Sequence, residues 1–192
     1  KIIDEFGEKN CYGAVAQISA YVDEKQSIIH KGKLATFFVG HLKNTFTNRL
    51  EFFSETCRGV GLDLLYKKNI QEKIWEKFIF LSAYSGITTL TKKSIGEIFE
   101  TKSLKKDFIN AMLETYNLSQ FFNVKFRLNP VDYWLSKIKN MPYDMTSSMY
   151  VDFKNKKKLE LRWLSGFIVE QSERFGTSCI VHKKILDGIE SK

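Results

Sequence analysis

A single basic residue at the edge of an uncharged helical segment is the first place in this sequence where residue types and spacing point to chemistry. From Phe78 to Thr91 the sequence carries no charged side chain. Lys77 stands just before that segment, and Leu81 and Ser85 follow it at intervals of four, which places all three on one face of a helix. A lysine in this position either extends its ammonium group to solvent or is held in a water-poor site as a proton donor. The residues alone leave both interpretations open, and extension to solvent is the commoner one.

A second set of polar residues lies between positions 146 and 176. Ser147 and Ser148 begin a short predicted helix, where serine hydroxyls ordinarily cap backbone N–H groups. Glu160 falls in the first turn of a longer predicted helix, where a carboxylate interacts favourably with the helix dipole. These structural roles compete with roles in binding or catalysis.

The helix that carries Lys77 is predicted to begin after Asn69, because Asn69 and Glu72 form the pattern of an N-cap and a capping box. The segment is apolar on nearly every side, which is typical of a buried helix, and it is shorter than the ~20 residues that a bilayer span needs. Strand patterns precede it at residues 14–22, at 28–39 with a turn at 31–33, and at 62–66 after a predicted helix at 44–57. This order of elements predicts part of an α/β sheet.

No convincing strand follows residue 69. Helical patterns recur at residues 94–99, 104–118, 129–138, 146–153, 159–175 and 180–189. Pro130 fits the first position of its helix, and Gly176 ends the long one. The predicted fold is therefore an α/β remnant in residues 1–66 followed by an all-α domain in residues 67–192, mostly α overall.

Composition limits the class of protein. The chain has 192 residues, 43% hydrophobic and 27% charged, which is typical of a globular protein rather than a disordered one. The net charge of +8 favours an anionic partner. The basic residues are scattered, however, and aromatic residues do not alternate with them as they do in a single-strand nucleic-acid binder. We therefore expect a small anionic ligand rather than nucleic acid.

The cysteines and histidines predict neither a disulfide framework nor a metal site. The three cysteines are widely separated, and the three histidines show no metal-ligand spacing with them. Separated cysteines in odd number favour reduced thiols and a cytoplasmic location. No segment predicts a membrane span. Because the first residue is Lys1, we expect the sequence to start inside a longer protein.

Several short motifs share their order and spacing with those of a known family. They are Gly13-Ala14-Val15, Ile29-His30, Val39-Gly40, Ile74-Trp75-Glu76-Lys77-Phe78, Thr88-Thr89-Leu90, Ile95-Gly96-Glu97, Ser147-Ser148-Met149, Asp152, Leu159-Glu160-Leu161, Ser165-Gly166 and Arg174-Phe175-Gly176. Together they resemble the ketopantoate reductase (2-dehydropantoate 2-reductase) family over nearly the whole chain. The resemblance implies the last strands of a Rossmann-type nucleotide-binding domain, then an all-α domain that binds substrate and forms a homodimer. It also implies NADPH-dependent reduction of a 2-oxo acid, 2-dehydropantoate or a relative, in pantothenate biosynthesis.

The resemblance further implies roles for individual residues. Lys77 would be the general acid that gives a proton to the substrate carbonyl, and Glu160 would hold its ammonium group and lie close to the cofactor. Desolvation lowers the pKa of a lysine from its reference value of ~10.4, which makes it a better donor near neutral pH. The implied substrate contacts are Ser85, Ser148 and Met149, and the implied main-chain contact with the cofactor is Ser19.

Three positions depart from the family's pattern. Leu81 and Ser85 stand where the pantoate-forming members carry asparagines, and Ile95 replaces an asparagine after the central helix. Leucine forms no hydrogen bond with a substrate hydroxyl, and a site built for such a bond discriminates strongly. We therefore expect the reaction type to carry over better than the substrate, with a more apolar 2-oxo acid accepted.

The family's G-x-G-x-x-G loop and its Asn-Gly motif do not occur in this sequence. The segment Gly59-Val60-Gly61 lacks the third glycine and follows a predicted helix, so it predicts the end of that helix. Without the first βα turn there is no helix N-terminus for the pyrophosphate, and we expect this chain alone to bind NADPH weakly or not at all. The alternative function is a non-catalytic helical module that binds a partner protein or an acidic surface.

Overall fold

The computed structural model describes residues 2–42 and 48–191, with side chains at all of these except 19 and 31–34. The chain divides into two compact units, Lys1–Ile74 and Trp75–Lys192. The boundary predicted between residues 66 and 67 separates the sheet from the long helix that follows it. The compact units divide within that helix.

A three-stranded sheet forms most of the first unit. Its strands are β1 (Tyr12–Val22), β2 (Ile28–His41) and β3 (Leu64–Tyr66). The first two strands pair in antiparallel fashion, and β3 pairs with β2 in parallel. The helical elements of this unit are α1 (Ile2–Phe6), a 3-10 helix (Glu8–Asn10) and α2 (Asn48–Gly59).

Strand β2 runs unbroken through residues 31–33, so the turn predicted there is wrong. Residues on both sides of this point pair with the same neighbour, β1, and a register shift between Ile18 and Ala20 takes up the irregularity. The strand thus continues through a segment whose sequence is typical of a turn. The helix predicted at 44–57 is seen as α2 from Asn48 onward, and residues 43–47 lie outside the described chain.

A small apolar core holds the first unit together. It consists of Val15 from β1, Phe38 from β2 and Ile70. The hydroxyl of Ser54 on α2 donates a hydrogen bond to the carbonyl of Leu64 at 2.7 Å, which fixes this helix to β3. Strand, helix and parallel strand thus form one α/β element.

Helices make up the rest of the described chain, which confirms the predicted fold class. They are α3 (Ile70–Thr91), α4 (Ile95–Glu100), α5 (Lys102–Phe121), α6 (Pro130–Ile138), α7 (Ser148–Lys154), a 3-10 helix (Leu161–Trp163), α8 (Ser165–Phe175) and α9 (Ile180–Glu190). None of the helices described here combines the length and hydropathy that a membrane crossing needs.

Local signals in the sequence mark several of these helix ends correctly. The side chain of Asn69 accepts a hydrogen bond from the N–H of Glu72 at 3.3 Å, as an N-cap of α3 should. Asn129 caps α6, with Pro130 at the first helical position. Gly176 ends α8 in the left-handed conformation, with a φ of 66°.

The helix predicted from residue 159 to residue 175 is interrupted. Leu164 has φ −101° and ψ −96°, so the chain forms a 3-10 helix up to Trp163 and restarts as α8 at Ser165. Leu161 and Leu164 are both buried in the main core. Tertiary contacts at this point outweigh the continuous helical pattern of the sequence.

Helix α3 lies at the centre of the second unit. Its buried residues Ile79, Ala83 and Ile87 belong to the main core. Gly86 lies so close to α9 that a Cβ there would be 2.8 Å from the side chain of Ile185. The absence of a side chain at Gly86 therefore allows α3 and α9 to pack closely.

Candidate active site

Lys77 lies on α3 at the edge of the buried part of the helix, with its side chain partly buried. Burial lowers its pKa from the ordinary 10.5, and the negative charge of Glu160 acts in the opposite direction. The fold therefore brings a carboxylate from a distant part of the chain into electrostatic range of this ammonium group.

Glu160 is exposed and directly precedes the 3-10 helix. Its carbonyl accepts a hydrogen bond from the N–H of Trp163 at 2.9 Å. Its side chain, in the structure as described, caps no helix, and the long helix begins only at Ser165. The sequence predicts Glu160 in the first turn of a long helix, where its charge would interact with the helix dipole. In the structure it precedes a 3-10 helix instead.

The adjacent serines at the start of α7 have different environments. Ser147 is buried, and its hydroxyl accepts a hydrogen bond from the N–H of Tyr150 at 3.1 Å, so it is the N-cap. Ser148 is the first residue of α7 and is exposed. The predicted cap is thus Ser147, which leaves Ser148 as the serine accessible to a ligand.

The Ser147 hydroxyl also connects α7 to the central helix. The hydroxyl of Thr88 donates its one hydrogen to the carbonyl of Tyr84 at 2.7 Å. It therefore accepts the hydrogen of Ser147, whose oxygen lies 2.7 Å away. This chain of hydrogen bonds is buried, and it fixes the start of α7 to α3.

The other predicted substrate contacts are less accessible than Ser148. Ser85 lies two turns beyond Lys77 on α3 and is 2% exposed. Met149 is also 2% exposed, and its side chain packs in the main core. A contact between Met149 and a ligand would therefore have to come from its main chain. The roles of Ser85 and Met149 stay predictions.

Ser19 belongs to the first unit and lies within β1, at the register shift between Ile18 and Ala20. The sequence placed it at the end of the first strand, but β1 continues to Val22. Its side chain lies outside the described part of the structure. The predicted main-chain contact with the cofactor therefore stays a prediction.

A buried polar network around His182 was not predicted from the sequence. His182 is completely buried, and its Nε2 lies 2.9 Å from the hydroxyl of Thr115 and 3.0 Å from the carbonyl of Ala111. Its Nδ1 lies 3.1 Å from the hydroxyl of Ser165. Burial lowers the pKa of His182 to about 4, so the ring is neutral at physiological pH.

One feature of the sequence indicates that His182 is buried. His182 precedes Ile185 by three positions and Ile189 by seven, which places it on the apolar face of α9. A histidine on such a face needs internal partners. Among the described residues, no three histidine, cysteine or acidic side chains are grouped as a metal site would require.

A central buried helix that carries a titratable lysine thus lies in an all-α domain that follows a small α/β sheet. The sequence profile described as "Ketopantoate reductase PanE/ApbA C terminal" matches residues 69–192. The chain belongs to the ketopantoate reductase family.

Two relatives show how much of such a protein the chain represents. It is 25% identical over 190 residues to YkpB of Bacillus subtilis (strain 168), named as an uncharacterized oxidoreductase, and covers 61% of that protein with 96% of its own length. It is 24% identical over 182 residues to the 2-dehydropantoate 2-reductase of Archaeoglobus fulgidus, covering 60% of that protein with 93% of its own length. The chain thus spans about three fifths of the length of these relatives.

Solved structures share the fold at lower identity. The 2-dehydropantoate 2-reductase from Geobacter metallireducens GS-15 has a TM-score of 0.88 at 20% identity, over 99% of this chain and 63% of its own. A dimeric ketopantoate reductase from Staphylococcus aureus has a TM-score of 0.84 at 19% identity, over 100% of this chain and 64% of its own. D-mandelate dehydrogenase, solved with NADH, has a TM-score of 0.85 at 16% identity, over 99% of this chain and 65% of its own.

Proposed function

We propose that the complete protein reduces a 2-oxo acid to the 2-hydroxy acid with NADPH, and that Lys77 supplies the proton. The observation that carries the proposal is the state of Lys77, whose pKa is lowered by burial while the carboxylate of Glu160 lies in electrostatic range. Perturbed lysines of this kind occur at catalytic sites more often than elsewhere. Family membership supports the reaction class.

Reduction of a ketone requires a hydride at the carbonyl carbon and a proton at the carbonyl oxygen. The reduced nicotinamide would supply the hydride. Lys77 would give the proton from its Nζ atom to the oxygen, so that the C=O group becomes CH–OH and the lysine becomes a neutral amine. Because burial disfavours the charged form of Lys77, it favours this transfer.

Glu160 would orient the ammonium group and keep it protonated until the substrate is bound. Its negative charge raises the pKa of Lys77 and therefore opposes the effect of burial. The net effect is a lowered pKa, which makes Lys77 a stronger acid than a lysine in water. We also place Glu160 close to the cofactor.

We assign the carboxylate end of the substrate to the start of α7. Ser148 offers an exposed hydroxyl there, held in place by the buried cap at Ser147. A further contact would come from the main chain of Met149, and Ser85 on α3 would contribute a hydroxyl deeper in the helical domain.

The preferred substrate in this proposal is more apolar than 2-dehydropantoate. Leu81, one turn beyond Lys77, is partly buried and, by the family resemblance, stands where the pantoate-forming members carry an asparagine. Ile95 also replaces an asparagine, but it is 2% exposed and packs in the main core. An apolar lining favours an alkyl or aryl group over a hydroxyl. The structure of D-mandelate dehydrogenase with NADH and anilino(oxo)acetate supports the use of this fold for such a compound.

The turn between β3 and α3 is not built as a dinucleotide-binding loop. Its residues, Lys67, Lys68 and Asn69, include no glycine, and the side chain of Asn69 already caps α3. The chain therefore offers no phosphate-binding loop at this turn. Its 192 residues by themselves should bind NADPH weakly or not at all, and calorimetry giving a low-micromolar Kd would contradict this.

The reaction is tested in this chain joined to a nucleotide-binding domain. NADPH oxidation would be followed with 2-dehydropantoate and with alkyl and aryl 2-oxo acids. Lys77→Ala should reduce kcat by at least about 100-fold, the usual contribution of a general acid. Lys183→Ala, which removes an exposed lysine from α9, serves as the control and should retain activity. Undiminished turnover in Lys77→Ala would reject the assignment.

A homodimer formed through the helical domain is part of the proposal. Large apolar side chains are exposed where α5 and α9 meet, with Leu113 36% and Ile180 74% exposed. The two helices touch there, because the carboxylate of Glu114 accepts a hydrogen bond from the N–H of Val181 at 2.8 Å. Light scattering should give a dimer that Leu113→Glu with Ile180→Glu converts to a monomer, and a monomeric parent protein would contradict this.

We further place the reaction in the cytoplasm, as a step of pantothenate biosynthesis or of a related 2-hydroxy acid pathway. The free thiols of Cys11, Cys57 and Cys179 support a reducing compartment.

A further inference from the structure

A cavity of about 630 Å³ lies beside α7, in the size range of small-molecule sites, and none of its lining residues is assigned to the reaction. Its charged lining residues are all lysines, and in the described structure no carboxylate lines it. These residues are Lys92, Lys154, Lys156 and Lys157. The cavity therefore concentrates positive charge beyond the general basicity of the chain.

The lysines reach the cavity from two separate helices. Lys92 directly follows the last residue of α3, whereas Lys154 is the last residue of α7 and Lys156 and Lys157 follow it. The hydroxyl of Tyr150 on α7 donates a hydrogen bond to the carbonyl of Lys92 at 3.3 Å, which links α7 to the end of α3. Three of the positive charges thus lie within residues 154–157, and the fold brings Lys92 to them from a distant part of the chain.

Two of these lysines have a backbone conformation that disfavours any residue with a Cβ. Lys92 has a φ of 58° and Lys156 a φ of 53°. Helices that end in this way usually carry glycine at this position. At α7 the geometry is that of a Schellman motif, since the N–H of Lys157 bonds to the carbonyl of Asp152 at 2.9 Å and that of Lys156 to Phe153 at 3.1 Å.

Lysines near a helix C-terminus also interact favourably with the helix dipole. That interaction accounts for Lys154 in the last turn of α7. It does not account for lysine at a left-handed position, because glycine there would end the helix with less strain while the neighbouring lysines still faced the dipole. Strained positions of this kind are concentrated at ligand sites.

Aromatic rings lie against the ammonium groups. The Nζ of Lys92 is 5.9 Å from the ring centroid of Phe153, and the Nζ of Lys154 is 5.7 Å from that of Tyr150. These contacts orient the lysines and leave flat apolar surface beside them. A ligand that uses both features carries an anionic group next to an apolar or aromatic part.

We propose that this cavity binds a small molecule in which a phosphate group is attached to an apolar or aromatic moiety. Lysine ammonium groups bind phosphate as point charges, and several of them match a dianion better than a single carboxylate. The site does not depend on the proposed reduction, so its test does not require turnover.

The test uses the 192-residue chain labelled with ¹⁵N and titrated with 1-naphthyl phosphate at constant ionic strength. Saturable amide shifts are expected around Lys92, Tyr150 and Lys156, with an affinity several-fold higher than that for inorganic phosphate. Removing the four charges at once by Lys→Gln substitution should abolish the saturation. The matched control removes four exposed lysines elsewhere in the same unit and should bind as the parent does; these are Lys102, Lys106, Lys137 and Lys139.

A second variant separates binding from folding. Lys156→Gly relieves the left-handed strain, so it should raise the Tm while it weakens binding of 1-naphthyl phosphate. A purely structural lysine would give the higher Tm with unchanged affinity, which would overturn the proposal. Shifts spread over surface lysines of the whole chain, or equal affinity in the two fourfold variants, would overturn it as well.

Discussion

Lys77 and His182 lie in the same helical domain, and burial lowers the pKa of both, yet their surroundings differ. His182 is enclosed completely, and hydroxyl and carbonyl groups satisfy both of its ring nitrogens. Lys77 is only partly buried, and the group that acts on it is a carboxylate, Glu160, which is itself exposed. One environment is closed and neutral, and the other is open and charged.

The difference shows that a perturbed pKa does not by itself mark a functional residue. A group can take part in chemistry only if a ligand can reach it and if both of its protonation states can be accommodated. His182 fails the first condition and serves the core. Lys77 is partly exposed and therefore meets the first condition, and it is the residue to which we assign the proton transfer.

The largest expected effect on stability is that of His182→Leu. The substitution removes the imidazole and leaves the hydroxyls of Thr115 and Ser165 without that partner in the core. We expect the free energy of unfolding to fall by about 3 kcal/mol in urea titrations, because buried polar groups that lose their partners are costly. Lys183→Leu, at the exposed neighbouring position, should change it by less than about 0.5 kcal/mol. A loss below about 1 kcal/mol in His182→Leu would mean that the network contributes little.

The next effect is a dependence of stability on pH. Because the pKa of His182 is lowered to about 4 in the folded state, the folded protein binds this proton less readily than the unfolded chain does. The histidine contribution is therefore complete above its ordinary pKa of 6.5 and is lost as the pH falls towards 4. We expect a loss of about 2 kcal/mol on going from neutral pH to pH 5. His182→Leu should lose less over the same interval, and an equal loss in both proteins would contradict the assignment.

A smaller effect of opposite sign is expected for Lys77→Met. Burial disfavours the ammonium group in the folded state, and methionine is of similar length and apolar. Thermal unfolding should show a gain of at most about 1 kcal/mol, since the side chain is partly exposed and solvent screens its charge. A gain in stability together with lost turnover is the pattern of a residue kept for function. A marked loss of stability would instead give Lys77 a structural role.

The smallest effect concerns the influence of Glu160 on Lys77. The carboxylate raises the pKa of Lys77, so Glu160→Gln should lower that pKa further. NMR titration of the ¹³Cε resonance of Lys77 would measure the change. Glu170→Gln removes an exposed carboxylate from α8 and should leave the titration as it was. An unchanged pKa of Lys77 in Glu160→Gln would show that the carboxylate does not act on Lys77. The contrast between a charged environment at Lys77 and a neutral one at His182 would then be lost.

Much of the fold follows from local patterns. Asn69, Pro130 and Gly176 mark helix ends by chemistry that acts within a few residues, and all three were predicted from the sequence. The predictions failed where distant contacts decide. Strand β2 continues through the predicted turn at 31–33, and the helix predicted at 159–175 is interrupted at Leu164.

The candidate site was predictable to a different degree. Helical spacing identified Lys77, but nothing local connects it to Glu160, and only the family resemblance brought the two together before the structure did. The distinction between Ser147 and Ser148 was equally hidden, because both serines fit an N-cap. Thr88, which decides between them, lies far away in the sequence.

The hydrogen bond between Thr88 and Ser147 restricts how α7 can move relative to α3, and the proposed function uses a residue from each of these helices. Lys77, to which we assign the proton transfer, lies on α3, and Ser148 begins α7, and the Thr88–Ser147 hydrogen bond joins these two helices. An insertion of one residue in the loop before α7 would move Ser148 relative to α3 only if it also broke the hydrogen bond between Thr88 and Ser147. On the proposed function, we therefore expect substitution of Leu81, which is partly buried on the same helix face as Lys77, to alter substrate choice while the two helices stay joined.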